Sequence, residues 1–212
     1  GPIIGGSVNS DVGGTIRIPR EANARGGVIF TNAGTMEFGA SGGDAFRGLD
    51  NGGSSIINAG TITKIGSSDY TVFSPLNNTG AINLQAGILR WKGGGTVAES
   101  QISAALNTDL TFQDVGFSFS GTNALSGAGR IWFAGNTVTL TDSQTILNAA
   151  NLNFGSTGNS VLTGPGTVNV SGGLTIHGQP TTFSGTQLVT LAGSSSTINK
   201  GNTTLQFSDG AK

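Results

Sequence analysis

Carboxylate side chains are the groups in this sequence most able to do chemistry, and they are scattered. The chain has 11 Asp and Glu residues among 212, with no Asp-Asp pair and no His-Asp cluster. Cleavage of a polysaccharide needs acids gathered on one exposed face, with calcium or a basic side chain beside them. The spacing therefore predicts a protein that is not an enzyme, with no catalytic residue and no cofactor.

Metal ligands are equally sparse. The chain has no cysteine and a single histidine, His177. Alternation along Leu174-Thr-Ile-His177 directs this imidazole away from a core, so we assign it no role. The most calcium-like fragment is Gly42–Gly52, which contains two aspartates. We interpret it as a polar loop, and we predict no metal site.

The composition excludes several classes of partner. Glycine fills 37 positions, and charged residues make up 10% of the chain, with a net charge of −1. Such a chain has no basic surface for nucleic acid and no apolar run near the roughly 18 residues of a membrane span. The 35% hydrophobic residues, including 11 Phe, supply the core that a disordered linker lacks. We expect a folded chain that binds no nucleic acid and does not insert into membranes.

The elements that would position any site come from an internal repeat. Asn32-Ala-Gly-Thr-Met36 returns as Asn58-Ala-Gly-Thr-Ile62 and again, after a shorter step, as Asn78-Thr-Gly-Ala-Ile82. Glycine and asparagine suit sharp corners between short strands. Repeats of this length indicate stacked coils, none of which can bury its apolar face alone.

A stricter register runs through the middle of the chain, where an aliphatic and an aromatic residue, two apart, recur at a constant step of about 21 residues. These pairs are Leu89/Trp91, Leu110/Phe112, Ile131/Phe133 and Leu152/Phe154. We expect the series to continue, at slightly shorter steps, with Val168/Val170, Leu188 or Val189, and Leu205/Phe207. Both members of each pair point to one side of a strand, so they predict ladders inside a solenoid. The predicted fold is an all-β, right-handed, single-stranded parallel β-helix (β-solenoid) with coils of about 20–21 residues.

The repeat also suggests a division of the chain. Residues 28–212 carry the predicted solenoid repeats. Residues 1–27 lack a clear repeat, and they form either an N-terminal cap over the first coil or an irregular coil. The opening Gly1-Pro2 is typical of a scar left by a tag-cleaving protease. We therefore expect a piece of a longer chain that has flanking domains.

Three glycine-rich stretches, Asn77–Leu89, Leu125–Ile131 and Leu162–Leu174, resemble the repeats of large bacterial surface proteins. These include adhesins, filamentous-haemagglutinin-like exoproteins and autotransporter passengers. The resemblance implies a structural or adhesive module that is extracellular or displayed on the cell surface. It also implies a host or environmental glycan, or a surface protein, as the partner. Because residues one coil apart become neighbours, a carbohydrate-binding or carbohydrate-cleaving β-helix is the alternative.

The register predicts one candidate surface for a glycan or another partner. With the evenly spaced pairs inside, Trp132 faces outward beside side chains that could stack on a sugar ring and hydrogen-bond its hydroxyls. The predicted surface consists of Arg90, Lys92, Gln113, Arg130, Trp132, Asn151 and Asn153. The same register predicts that Asp109 and Arg130 are in contact on adjacent coils, with Trp132 exposed beside them.

Overall fold

The computed structural model describes residues 3–4, 7–18, 22–25, 27–39, 43–48, 53–155, 157–185, 188–192, 195–198 and 205–207. Within these ranges the chain consists of short strands and turns, without a helix. Every pairing between those strands is parallel, and the strands stack as a β-solenoid, as predicted. In the described part no helix is long and apolar enough to cross a membrane.

The described strands are short, and most have three to five residues. They are β1 (Ile3–Ile4), β2 (Ser7–Ser10), β3 (Thr15–Ile18), β4 (Ala22–Arg25), β5 (Ile29–Asn32), β6 (Thr35–Phe38), β7 (Gly43–Gly48), β8 (Ser55–Asn58), β9 (Thr61–Lys64), β10 (Tyr70–Val72), β11 (Leu76–Asn78), β12 (Ala81–Leu84), β13 (Ile88–Trp91), β14 (Gly95–Ala98), β15 (Gln101–Ala104), β16 (Asp109–Gln113), β17 (Phe117–Ser120), β18 (Thr122–Ser126), β19 (Arg130–Ala134), β20 (Thr137–Leu140), β21 (Ile146–Gly155), β22 (Ser160–Thr163), β23 (Thr167–His177), β24 (Thr181–Phe183), β25 (Leu188–Leu191), β26 (Ser195–Ile198) and β27 (Leu205–Phe207).

Each complete coil contributes strands to three faces. Face 1 is a ten-stranded sheet that contains β2, β5, β8, β11, β14, β17, β20, β22, β24 and β27. The remaining described strands form a 17-stranded sheet that divides into two faces. Face 2 runs from β3 through β12 and β15 to β25, and face 3 runs from β1 through β13, β16 and β19 to β26. The long strands β21 and β23 pass through the corner and belong to both.

The evenly spaced ladders lie inside face 3, as predicted. Trp91 aligns with Phe112, Phe112 with Phe133, and Phe133 with Phe154, each one coil apart and fully buried. The ring centroids of Phe112 and Phe133 are 5.6 Å apart, and those of Phe133 and Phe154 are 5.5 Å apart. Contacts of this kind add to the burial of apolar area, so the aromatic column stabilises the register of this face.

The expected continuation of this series at Val168 and Val170 was wrong. The residue that follows Phe154 in its column is Ile176, further along the chain and not at the shorter step that was expected, whereas Val168 aligns with Leu147 on face 2. The later members of the expected series also lie elsewhere: Val189 aligns with Val168 on face 2, and Phe207 aligns with Phe183 on face 1. The physical reason is that β21 and β23 carry two inward-facing sets each, one for either face, and a register shift separates them. A single constant spacing cannot describe both sets.

A ladder of buried amides lies at the corner where face 1 ends. Asn32 Nδ2 donates to Asn58 Oδ1 over 2.6 Å, Asn58 Nδ2 donates to Asn78 Oδ1 over 2.6 Å, and Asn78 Nδ2 donates to Ser100 Oγ over 2.6 Å. The three asparagines are fully buried. They align across the longer coil that follows Asn32 and across the shorter coil that follows Asn58. These residues, predicted as turn formers, therefore also join neighbouring coils through a hydrogen-bonded chain.

The glycine two positions after each of these asparagines lets the corners approach one another. A Cβ atom on Gly60 would lie 2.2 Å from the carbonyl oxygen of Gly34, and one on Gly80 would lie 2.0 Å from that of Gly60. No side chain fits at such distances, so glycine is required by close packing here. The Asn-x-Gly pattern thus combines a side chain that joins the coils with a residue that lets them stack.

Lys64 is an unexpected member of the core. It is fully buried at the end of β9, aligned between Phe38 and Leu84. Its Nζ donates to the carbonyl oxygens of Ile65, at 2.7 Å, and Gly66, at 2.6 Å. The ammonium also lies 5.4 Å from the centre of the Tyr70 ring. Burial lowers the pKa of Lys64, while the charge of Asp69 opposes that shift.

The segment 1–27, predicted as an N-terminal segment or cap, contains strands that join the same sheets. β2 pairs in parallel with β5, β3 with β6, and β4 with β7. At Tyr70, two coils further on, the hydroxyl donates to the carbonyl oxygen of Ile18 over 3.0 Å. The described strands of this segment therefore stack on the following coil and are tied to the core by a buried hydrogen bond.

Substitution of Asn58 by alanine tests the amide ladder. The change removes two buried hydrogen bonds, those with Asn32 Nδ2 and Asn78 Oδ1, and leaves Asn78 Oδ1 without its donor. We therefore expect a loss of about 3 kcal/mol in the free energy of unfolding. Urea denaturation measures this loss. The matched control is Asn77→Ala, since Asn77 is the adjacent residue and is exposed, and a change within about 0.5 kcal/mol is expected there. Equal effects of the two substitutions would contradict a structural role for the ladder.

The buried ammonium of Lys64 predicts a dependence of stability on pH. Because its pKa is lower in the folded state, the unfolded state binds more protons between that lowered value and 10.5. Stability should therefore rise as pH increases through this window. Burial raises the pKa of Tyr70, so deprotonation of Tyr70 weakens the fold only above its ordinary value of 10.0.

Urea denaturation from about pH 8 to pH 10 measures this rise. Lys64→Met should abolish it, and Lys92→Met, which removes a partly exposed lysine, should keep it. A rise that is the same in Lys64→Met and in the unsubstituted chain would refute the assignment.

Candidate functional site

A groove of about 300 Å³ lies on the outside of face 3, across β13, β16 and β19. Its floor and walls come from neighbouring coils, so residues one coil apart in sequence meet there. The lining residues are Ile88, Arg90, Asp109, Thr111, Gln113, Arg130, Trp132, Thr157 and His177. Four of the seven residues of the predicted surface, Arg90, Gln113, Arg130 and Trp132, are among them.

Asp109 and Arg130 form the predicted contact. Arg130 Nε donates to Asp109 Oδ1 at 2.5 Å, and Nη2 donates to Oδ2 at 2.6 Å, so the carboxylate is held by two parallel hydrogen bonds. The two residues are direct partners in the register of β16 and β19. Hydrogen bonding to Asp109 raises the pKa of Arg130 above its ordinary value, against the smaller opposing effect of burial. The guanidinium therefore stays charged and fixed at the edge of the groove.

Trp132 faces the groove but is half-buried, so it is less open than predicted. Ile131 and Phe133 on either side of it are buried, which confirms the register of β19. The Arg130 guanidinium lies 5.7 Å from the centre of the indole, and the ring of His177 stands nearly perpendicular to it at 6.3 Å. These two neighbours cover part of the indole and hold it in place.

His177 belongs to the groove, although no pattern in the sequence assigned it a role. It aligns with Gly155, and Gly155 has no side chain to separate the imidazole from the coil of Trp132. Gly155 has a φ of +100°, and a Cβ atom there would lie 2.2 Å from the carbonyl oxygen of His177. His177 and Trp132 lie two coils apart, and the glycine on the coil between them leaves space for the two rings to meet.

Thr111 and Gln113 line the groove and are nearly covered, at 9% and 7% exposure. Their side chains form no hydrogen bond with the described part of the chain, so their polar groups are left for whatever fills the groove. Gln113 was expected to be an open surface residue, and so was Asn153, which is also buried. Asn153 Nδ2 instead donates to the carbonyl oxygen of Ile131 over 3.1 Å.

The remaining cations of the predicted surface each have an acidic partner on a neighbouring coil. Arg90 Nη1 donates to Asp69 Oδ2 at 3.0 Å. Lys92 Nζ lies 3.1 Å from Asp114 Oδ2, and Lys92 is not among the residues that line the groove. With Arg130 paired to Asp109, the positive charges along this face are balanced, so its field offers little attraction to an anion.

Asn151 lies in a second hollow beside the groove. This hollow, of about 290 Å³, is also lined by Arg130, Asn153, Gly173 and Thr175. Asn151 Oδ1 accepts a hydrogen bond from the backbone nitrogen of Gly173 at 3.1 Å, which ties this side chain to the next coil.

No group of three or more His, Cys, Asp or Glu side chains in the described ranges could hold a metal ion. The interpretation of Gly42–Gly52 as a polar loop was wrong for Gly43–Gly48, which form β7 and pair with β4 and β10. The rest of that fragment lies outside the described residues.

Comparison with known proteins found no match: no family model, no curated protein and no solved structure matches the chain. The parallel stacking of the strands nevertheless defines the class of molecule, which is a β-solenoid.

A double-mutant cycle tests the Asp109–Arg130 pair. Asp109→Ala and Arg130→Ala should show a coupling of about 0.5 kcal/mol in the free energy of unfolding, because the pair is well aligned but partly exposed to water. The coupling should shrink as salt is added. A cycle between Asp109→Ala and Lys92→Ala is the control, and it should give additive effects. Additivity in the first cycle as well would contradict the geometry of the pair.

Proposed function

We propose that the chain is a non-catalytic structural and adhesive module of a secreted or cell-surface protein. The observation that carries the structural part is the continuous core of the described coils. Aromatic and aliphatic side chains stack from coil to coil, as in the column from Trp91 to Phe154. Such a rod gains stability from each added coil, which suits a spacer that holds other parts of a protein apart.

The adhesive part of the proposal rests on the groove. A half-open indole next to hydrogen-bonding groups is the combination with which proteins bind sugars, because the ring packs on C–H groups while amides and hydroxyls meet the sugar hydroxyls. Trp132 supplies the ring, and Thr111 and Gln113 supply polar groups that have no partner in the described part of the chain. We therefore favour a host or environmental glycan as the partner.

The alternative, carbohydrate cleavage, receives less support from the groove. Hydrolysis of a glycosidic bond by the usual route needs two carboxyl groups that flank it. Asp109 is the single acid among the described residues that line the groove, and both of its oxygens accept hydrogen bonds from Arg130. This arrangement favours binding without turnover.

Binding to a panel of immobilised neutral polysaccharides tests the proposal. The unsubstituted chain should bind at least one of them, and Trp132→Ala should lower that affinity about tenfold or more, because stacking on the ring is lost. Trp132→Phe should retain part of the affinity. Leu188→Ala, which alters an exposed apolar residue outside the groove, should bind like the unsubstituted chain.

No reducing ends should appear when the chain is incubated with the polysaccharide that it binds. Their release would favour the cleavage alternative. A failure to bind any member of the panel, or full affinity in a folded Trp132→Ala variant, would count against an adhesive role for the groove.

A further inference from the structure

The groove and the second hollow are neighbours along the solenoid axis. They share Arg130, which lines both. Trp132 lines the groove, and its direct partner on the next coil, Asn153, lines the second hollow. The two hollows therefore meet at Arg130, and the Trp132–Asn153 column leads from one into the other. We call the surface that they form together the trough.

The length of the trough follows from the register. One column of outward-facing positions runs through Arg90, Thr111, Trp132, Asn153 and Thr175, and each is the direct partner of the next. Four steps of about 4.8 Å give a trough of roughly 19 Å, parallel to the solenoid axis. Each step is close to the length of one residue in an extended, β-1,4-linked sugar chain.

The chemistry of the trough selects an uncharged ligand. The arginines that line it, Arg90 and Arg130, are paired with carboxylates on adjacent coils. An anion would have to compete with those carboxylates for the guanidinium groups. The groups without a partner in the described ranges include a hydroxyl at Thr111 and an amide at Gln113, which both donate and accept hydrogen bonds. Sugar hydroxyls do the same, whereas a phosphate or a carboxylate only accepts.

We propose that this trough binds a linear, neutral, β-linked oligosaccharide, extended along the solenoid axis, with about one sugar residue for each step between coils. A central sugar stacks on Trp132. The sugars on one side lie over Thr111 and Gln113, and those on the other side lie toward Asn151 and Thr175. The proposal rests on the glycan-binding function proposed above, and it adds the direction, the length and the charge class of the ligand.

Oligosaccharides of increasing length, from a monosaccharide to a hexasaccharide, are the probes that test this proposal. The probes are soluble cello-, manno-, xylo- and chito-oligosaccharides, with oligogalacturonides as the acidic comparison. Calorimetric titration of the full chain should show an affinity that rises with length up to the tetrasaccharide or so and then levels, because the trough spans four coil steps. The neutral series should bind more tightly than the acidic one.

Isosteric substitutions at the two ends of the trough sharpen the test. Thr111→Val and Thr175→Val each remove one hydroxyl, and each should lower the affinity for the tetrasaccharide about fivefold, the equivalent of one hydrogen bond. For a disaccharide, which reaches at most one end, at least one of the two substitutions should have no effect. Thr163→Val on face 1, which lies outside the trough, is the matched control and should change neither affinity.

The outcomes separate the two proposals. If no sugar of any length binds, the glycan-binding function itself is wrong. If sugars bind and Trp132→Ala abolishes binding, but affinity does not grow beyond the disaccharide, the extended trough is wrong while the groove stands. Tighter binding of the acidic series would likewise overturn the charge class.

Discussion

The parallel, in-register stacking of coils is the constraint on which the rest of the structure depends. Each residue of a strand lies about 4.8 Å from its partner one coil earlier and one coil later. The side chains that are aligned on successive coils are therefore in contact, and each must be compatible with the side chains directly before and after it. Phe on Phe satisfies this inside face 3, Asn on Asn at the corner, and Asp109 beside Arg130 on the outside. A like charge or an unpaired polar group in any of these columns would destabilise two interfaces at once.

The ladder from Trp91 to Phe154 could be predicted because its residues alternate strongly and its coils have equal lengths. The prediction failed one coil later, where β21 and β23 run through a corner and the step from Phe154 to Ile176 becomes longer. The burial of Lys64 could not be predicted from its neighbours in sequence. Its ammonium donates hydrogen bonds to the carbonyl oxygens of Ile65 and Gly66 and lies next to the ring of Tyr70. No pattern in the sequence marks either contact.

The candidate site divides in the same way. The contact between Asp109 and Arg130 follows from their spacing and from the alternation around them, because both are direct consequences of the register. The burial of Gln113 and the arrival of His177 beside Trp132 depend on side-chain volumes across two or more coils. Gly155 lies on the coil between Trp132 and His177 and leaves space for their rings to meet. The effect of this glycine can be recognised only once the alignment of the neighbouring coils is known.

The two coil lengths within the amide ladder have a consequence for how such a chain can vary. Asn32, Asn58 and Asn78 keep their alignment although the coil that follows Asn32 is longer than the coil that follows Asn58. Part of the additional length lies in β7, which has six residues where its partner β10 has three, and β7 meets β4 through a register shift. A difference in coil length is thus absorbed on face 3 without moving the amide column, whereas a single insertion within the strands of that column would exchange its inside and its outside. A face that already contains a register shift is therefore where this solenoid can accept additional residues, natural or grafted by design, at little cost to the other two faces.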